Sequence, residues 1–350
     1  MTHNREFEDR YVLIATTVGR LVRKLYYQAL AGGEVSEDVK SLLGINIPLS
    51  ALWEMLRFGE QSFLFSEKVW DFLTDIPLED TGEIAWPYPA FWLQFPKGLE
   101  GGTSIALGCL VIEKYLLPEA TLGRFPKEKQ ELIKKYADRV VIGYYKGNPL
   151  AMQMLFREIN EEVFASKYGG IIDIFEDGVA SILSFLPKNP MDAELMKLLH
   201  EEPLPKLFRD FATEQSRVAY QFGLWMDSDQ KKDVELLCTA PVRRMKKVAG
   251  RSSDPYQEVQ LDHFSPTITK IGGKLEKTLE LIEKQKAEWE ESQKKVPIGE
   301  RQPPKAHVVR SHWKRVRFGK RWEESERRLI LTFPRGLGEY APRIYKVTHP

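Results

Sequence analysis

Residues 305–322, KAHVVRSHWKRVRFGKRW, place seven Lys or Arg, two His and two Trp in eighteen positions and contain no acidic residue. Cations neutralise phosphates and aromatic rings stack on exposed bases. His307, Arg310, His312, Trp313, Lys314, Arg315, Arg317, Lys320 and Arg321 are therefore candidate contacts to RNA or another single-stranded nucleic acid, with Phe318 and Trp322 adding stacking surface. Three other readings compete. One is a strand pair with a solvated charged face. A second is a metal-free ribonuclease, with His307 and His312 as base and acid and Arg310 and Lys314 steadying the phosphorane. A spacing of five puts the two His on opposite faces of a regular strand, so cleavage requires a bend at Ser311. The third, a DNA-binding phage or plasmid regulator, needs a recognition helix that the basic end does not show.

The charge is local. Residues 301–350 hold thirteen Lys or Arg against four Glu, a net of +9, and residues 1–300 carry −8 within a chain of net +1. A division of this kind means that the basic part meets a polyanion or docks on the acidic body. At 350 residues, with 43% apolar and 29% charged composition, the chain can bury a substantial core and fill two or three domains. The start, MTHNREFEDR, has no apolar signal core, and no stretch approaches the roughly 18 unbroken apolar residues of a membrane span. Cys109 and Cys238 sit in apolar runs without metal-ligand spacing. The expectation is a cytoplasmic protein with reduced core cysteines, no membrane partner, no metal and no cofactor.

A second aromatic concentration, IAWPYPAFWLQFP at 84–96, offers different chemistry. Trp86, Tyr88, Phe91 and Trp92 can line a groove for an extended peptide, or they can fill a sheet core. Other signals are weaker. GLEGGTS at 98–104 lacks the Lys of a phosphate loop. Asp173, Glu176 and Asp177 suit a turn better than a cation site. His200 and His263 read as solvated surface residues.

These residues must be held by a scaffold, and its texture changes along the chain. Apolar steps of three and four from Tyr11 to Ala29 predict a helix over about 6–31, and Ser36, Ser50 and Ser66 are expected to cap further short helices. From 83 to 187, AFWLQF, TSIALGCLVI, RVVIGYY and GGIIDIF read as strands, with EDG at 176–178 as a hairpin turn and Gly178 at positive φ. Helices resume with Leu207, Phe211, Val218, Phe222 and Trp225 on one face. A last helix is expected to be capped by Ser265, with Gly272 and Gly273 allowing a later start at Lys274. The fold class is α+β: a helical region 1–82, a sheet-containing region 83–190 forming one body with helices at 191–295, a linker at 296–305 and a small basic module at 306–350. Residues 1–300 are expected to fold without that module.

H-V-V-R-S-H-W, followed by basic residues, a Gly and a final apolar strand, resembles the closing segment of the type V-A anti-CRISPR family. Its members, carried by phages and other mobile elements, suppress production of the RNA-guided nuclease. The upstream ITKIGGKLEKTLE, with Ile271, Gly272 and Leu275 as I-G-x-x-L, fits the same family, and together the matching segments cover about residues 265–335. His307, Arg310, His312, Trp313 and Gly319 match its pattern, although the family often has R-R-G-H-W where this chain has Val309, Arg310 and Ser311. The resemblance implies a body that recognises the amino-terminal stretch of a polypeptide during its synthesis. It also implies a fall in the encoding mRNA, through RNA or the ribosome.

Overall fold

The computed structural model describes residues 17–30, 32–34, 36–58, 61–78, 82–101, 104–118, 120–147, 171–174, 179–190, 206–239, 242–247, 256–261, 267–293, 307–309, 311–318, 324–331 and 333–335. The chain runs through α1 (Thr17–Leu30), α2 (Glu37–Ile45), α3 (Ile47–Arg57), β1 (Gln61–Phe65) and α4 (Glu67–Asp75). There follow β2 (Ala90–Gly101), β3 (Ser104–Glu113), α5 (Ala120–Gly123), α6 (Lys127–Tyr136), β4 (Ala137–Gly147), β5 (Ile171–Ile174) and β6 (Val179–Pro187). The last third holds α7 (Lys206–Met226), β7 (Val234–Thr239), β8 (Val242–Lys247), β9 (Tyr256–Leu261), β10 (Thr267–Ile271), α8 (Gly273–Gln293), β11 (His307–Val309), β12 (His312–Phe318), β13 (Glu324–Ile330) and β14 (Phe333–Arg335).

Eight strands form one mixed sheet in the order β5-β6-β4-β3-β2-β1-β10-β7. β1 is parallel to both β2 and β10, and the remaining pairs are antiparallel. The class is α+β, as the sequence implies. Helices cover both faces, and alternation along β2 divides the core. Phe91, Leu93 and Phe95 join Val69 and Trp70 of α4, Phe222 and Trp225 of α7 and Leu275 of α8. Ala90 and Trp92 join Val22 of α1, Leu52 and Met55 of α3 and Ile133 of α6. A sheet buried on both sides gives the near-continuous apolar runs of β2, β3 and β4. Among the described residues, no helix is long and apolar enough to cross a membrane.

Several local expectations are corrected. α3 is capped by Asn46, whose side chain accepts from the Leu49 N–H at 3.1 Å, and Ser50 lies inside the helix. Ser66 does cap α4, accepting from the Val69 N–H. β1 is a central strand inside the region expected to be helical throughout, and the described residues of 191–295 include four strands besides helices. Thr267–Ile271 is β10 rather than a first helical turn, because its β-branched residues complete the parallel pair with β1. The strands around EDG pair as a hairpin would, while residues 175–178 lie outside the described residues. So does the expected linker.

Gly272 turns the chain from β10 into α8. Its φ is +81, its N–H donates to the Asp233 carbonyl at 2.9 Å, and the Asp233 carboxylate caps α8 by accepting from the N–H groups of Lys274 and Leu275. A Cβ there would lie 2.9 Å from a Val69 methyl. Gly272→Ala is expected to cost about 1–3 kcal/mol, the sum of a left-handed backbone and that contact, read as a lower denaturant midpoint. The I-G-x-x-L residues are thus structural: Ile271 and Leu275 are buried and Gly272 makes the turn between them.

Candidate functional site

β12 and β13 pair antiparallel, with Trp313 opposite Leu329, Arg315 opposite Arg327 and Arg317 opposite Ser325. Residues directly opposite share a face, and the first of these rungs is pressed into the body. Trp313 and Leu329 are buried in the same cluster as Phe222 and Trp225. The Trp313 indole N–H donates to the Gln221 Oε1 at 2.7 Å, and the Gln221 amide donates onward to the Ile76 carbonyl at 2.9 Å. At the next rung Arg327, 3% exposed, bonds the Asp227 carboxylate and, at 3.2 Å, the Glu83 carbonyl. Burial pulls the Arg327 guanidinium below its ordinary pKa; Asp227 opposes that shift and neighbouring Arg315 adds to it. A backbone bridge between Ser228 and Arg327 completes the dock.

Beyond the dock the hairpin is positive. Lys314, Arg315 and Arg317 are exposed, and Lys314 stands opposite Arg328 as Arg315 does opposite Arg327. Arg328 is balanced by Glu326 at 3.0 Å and Arg327 by Asp227. Like charges on facing positions destabilise a strand pair, so a rigid hairpin that keeps them is chemically suited to an anion.

The sequence-derived site residues are distributed as follows. Lys314, Arg315 and Arg317 share this exposed strand, and His312 is half-buried at its start, opposite Ile330. His307 belongs to a different pair, β11 with β14, and Ser311, where the cleavage reading needs a bend, lies outside both strands. Arg310, Lys320 and Arg321 lie outside the described residues, as do Gly319 and Trp322. Trp313 is corrected: its ring is packed in the core and its N–H is engaged, which removes it as a base-stacking platform. The residues that sequence reasoning missed are its anchors, Gln221, Asp227 and Arg327. Only the alternation Arg327, Leu329 in ESERRLI hinted at an inward face.

The peptide-groove residues do not share a surface. Phe91 and Trp92 are fully buried on opposite faces of the sheet. Trp86 and Tyr88 are half-buried over the α7 side, Trp86 with its ring centroid 6.1 Å from Tyr220 and Tyr88 with its own 5.6 Å from Phe63. Arg139 holds the segment by donating to the Tyr88 and Pro89 carbonyls at 2.8 Å each and pairing with Glu113. Burial fixes the aromatic core reading for Phe91 and Trp92 and leaves Trp86 and Tyr88 with the exposed surface. Asp173 faces Arg124 at 3.7 Å; burial raises its carboxyl above the usual range and Arg124 pulls it back. Glu176, Asp177, His200 and His263 lie outside the described residues.

Comparison with known proteins adds the following. The family model AcrVA2-like, described as anti-CRISPR type V subtype A2, matches residues 64–334, from within β1 to within β14. A crystal structure of AcrVA2 aligns with 95% of this chain and 98% of its own at 11% identity and a TM-score of 0.35. No curated protein matches the chain.

Proposed function

Since the chain belongs to the AcrVA2-like family of anti-CRISPR proteins, type V subtype A2, we propose that it lowers expression of a target protein by holding two ligands at once. The body takes a short peptide, the nascent amino terminus of the target. The β12–β13 hairpin takes RNA or the ribosome. Holding both on one chain raises the effective concentration of each for the other. The observation that carries the RNA half is the exposed Lys314, Arg315 and Arg317 on a hairpin locked to the body by Trp313 and Arg327. For the peptide half, the half-buried Trp86 and Tyr88 supply rigid aromatic surface.

Because Trp313 is engaged internally, the hairpin's contribution to affinity is ionic. Three phosphate contacts give log affinity for single-stranded RNA a slope of about −2 against log salt, at about −0.7 each. Changing Lys314, Arg315 and Arg317 together to Ala is expected to flatten the slope by about 2 with little change in melting temperature, since all three are exposed. Fluorescence anisotropy at several salt concentrations measures it. An unchanged slope would remove the hairpin from the RNA contact. Metal-free cleavage of the RNA by the unaltered protein, lost in the His307→Ala, His312→Ala variant, would replace this reading with the ribonuclease.

A further inference from the structure

We propose that α1 and the β8–β9 hairpin form a second contact for the same RNA, at the far end of edge strand β7 from the β12–β13 hairpin; the inference rests on the reading of this chain as an RNA-binding protein. β8 is VRRMKK and carries Arg243, Arg244, Lys246 and Lys247 without an acidic residue. Across the pair these four oppose Gln260, Val259, Gln257 and Tyr256, so no rung sets a cation against a carboxylate; the one acid of β9, Glu258, stands opposite Met245. α1 lies against β8 and contributes Arg20, Arg23 and Lys24, again with no acidic residue.

Between them the two elements carry seven Lys or Arg, with Arg243 and Lys247 at alternate positions to Arg244 and Lys246 along β8, within a 300-residue body whose own net charge is −8. Folding alone gains nothing from assembling like charges in an otherwise acidic body, and the arrangement is the electrostatic footprint of a polyanion site. Its position favours RNA continuous with the first contact. β13 touches the turn at 229–232 just before β7, and β8 begins two residues after β7 ends. Six strand residues separate the two basic hairpins along the sheet edge, a span of about 17–20 Å at roughly 3.3 Å per residue. α1 packs with the core on one face of the sheet and Trp313 with the core on the other, so an RNA that meets both contacts wraps the β7 edge, which a flexible single strand can do.

The test uses the full chain and single-stranded RNA of about twenty nucleotides, with affinity measured at several salt concentrations. Changing Arg243, Arg244, Lys246 and Lys247 together to Gln is expected to flatten the slope by about 1.4 or more, equivalent to two or more phosphates at about −0.7 each. The charge-preserving exchange of the same four, Arg for Lys and Lys for Arg, is expected to retain the slope, and circular dichroism checks that both variants fold. Combining the Gln changes with the Ala changes in β12 is expected to leave at most the weak salt dependence that α1 contributes. A slope lowered only by the β12 changes overturns this second contact and leaves the first standing. One lowered only by the β8 changes does the reverse. Loss in the charge-preserving variant, or displacement of the RNA from β8 by polyglutamate at equal charge concentration, overturns the RNA assignment. No RNA binding by the unaltered protein overturns both contacts.

Discussion

Trp313→Ala is expected to destabilise the folded chain by about 3–5 kcal/mol, the range for removing a large buried aromatic side chain. The ring is 5% exposed and packs in the cluster that contains Phe222, Trp225 and Leu329. Its loss leaves a cavity and also strands the Gln221 Oε1 where water does not replace the indole donor. Trp313→Phe separates the two contributions, keeping most of the ring while removing the N–H, and is expected to cost about 1–3 kcal/mol. Denaturant unfolding followed by circular dichroism measures both. Deletion of 301–350 removes Trp313, Arg327 and Leu329 together and is expected to lower the midpoint at least as far as Trp313→Ala. A truncated chain that melts like the whole protein would mean that residues 1–300 are self-sufficient. A Trp313→Ala variant of wild-type stability that binds RNA weakly at every salt concentration would return the ring to the ligand.

What the sequence disclosed and what it hid divide along a physical line. AFWLQF, TSIALGCLVI and RVVIGYY read as strands because a sheet covered on both faces needs apolar residues at nearly every position. The stripe of Val218, Phe222 and Trp225 reads as a helix because burial of one face imposes its own period. β1 and β10 were hidden because each is five residues long and their pairing joins positions 61–65 to 267–271, a constraint absent from either neighbourhood. At β10 the local pattern misled outright, since Ser265 and Pro266 imitate a helix start while the β-branched residues after them belong to the sheet. The same non-locality explains the site. Trp313 alternates with Arg315 and Arg317 as a solvated aromatic would, and its burial depends on Gln221, ninety-two residues upstream. The basic character of β8 was masked by averaging over an acidic body.

The second large effect lies in the ion pair that closes the dock. Arg327 is almost wholly enclosed, whereas the side chain of Asp227 remains 29% exposed. Removing the carboxylate therefore leaves a buried cation without its counter-charge, and removing the cation leaves an anion that solvent can reach. Asp227→Ala is expected to cost about 3–5 kcal/mol, the range for leaving a buried charge uncompensated. Arg327→Met, which keeps the apolar stem in place, is expected to cost distinctly less, and the double variant less than Asp227→Ala alone, with a coupling of about 1–3 kcal/mol. A double-mutant cycle on unfolding free energies reads these differences, and equal costs for the two single variants would mean that water reaches Arg327. Ionic strength supplies the functional contrast. A pair buried on the cation side is weakly screened, so the cost of Asp227→Ala is expected to persist at high salt, where the proposed contacts of Lys314, Arg315 and Arg317 to phosphates would be largely lost. The hairpin is then expected to stay docked on the body under conditions that would release a nucleic acid held by the proposed ionic contacts.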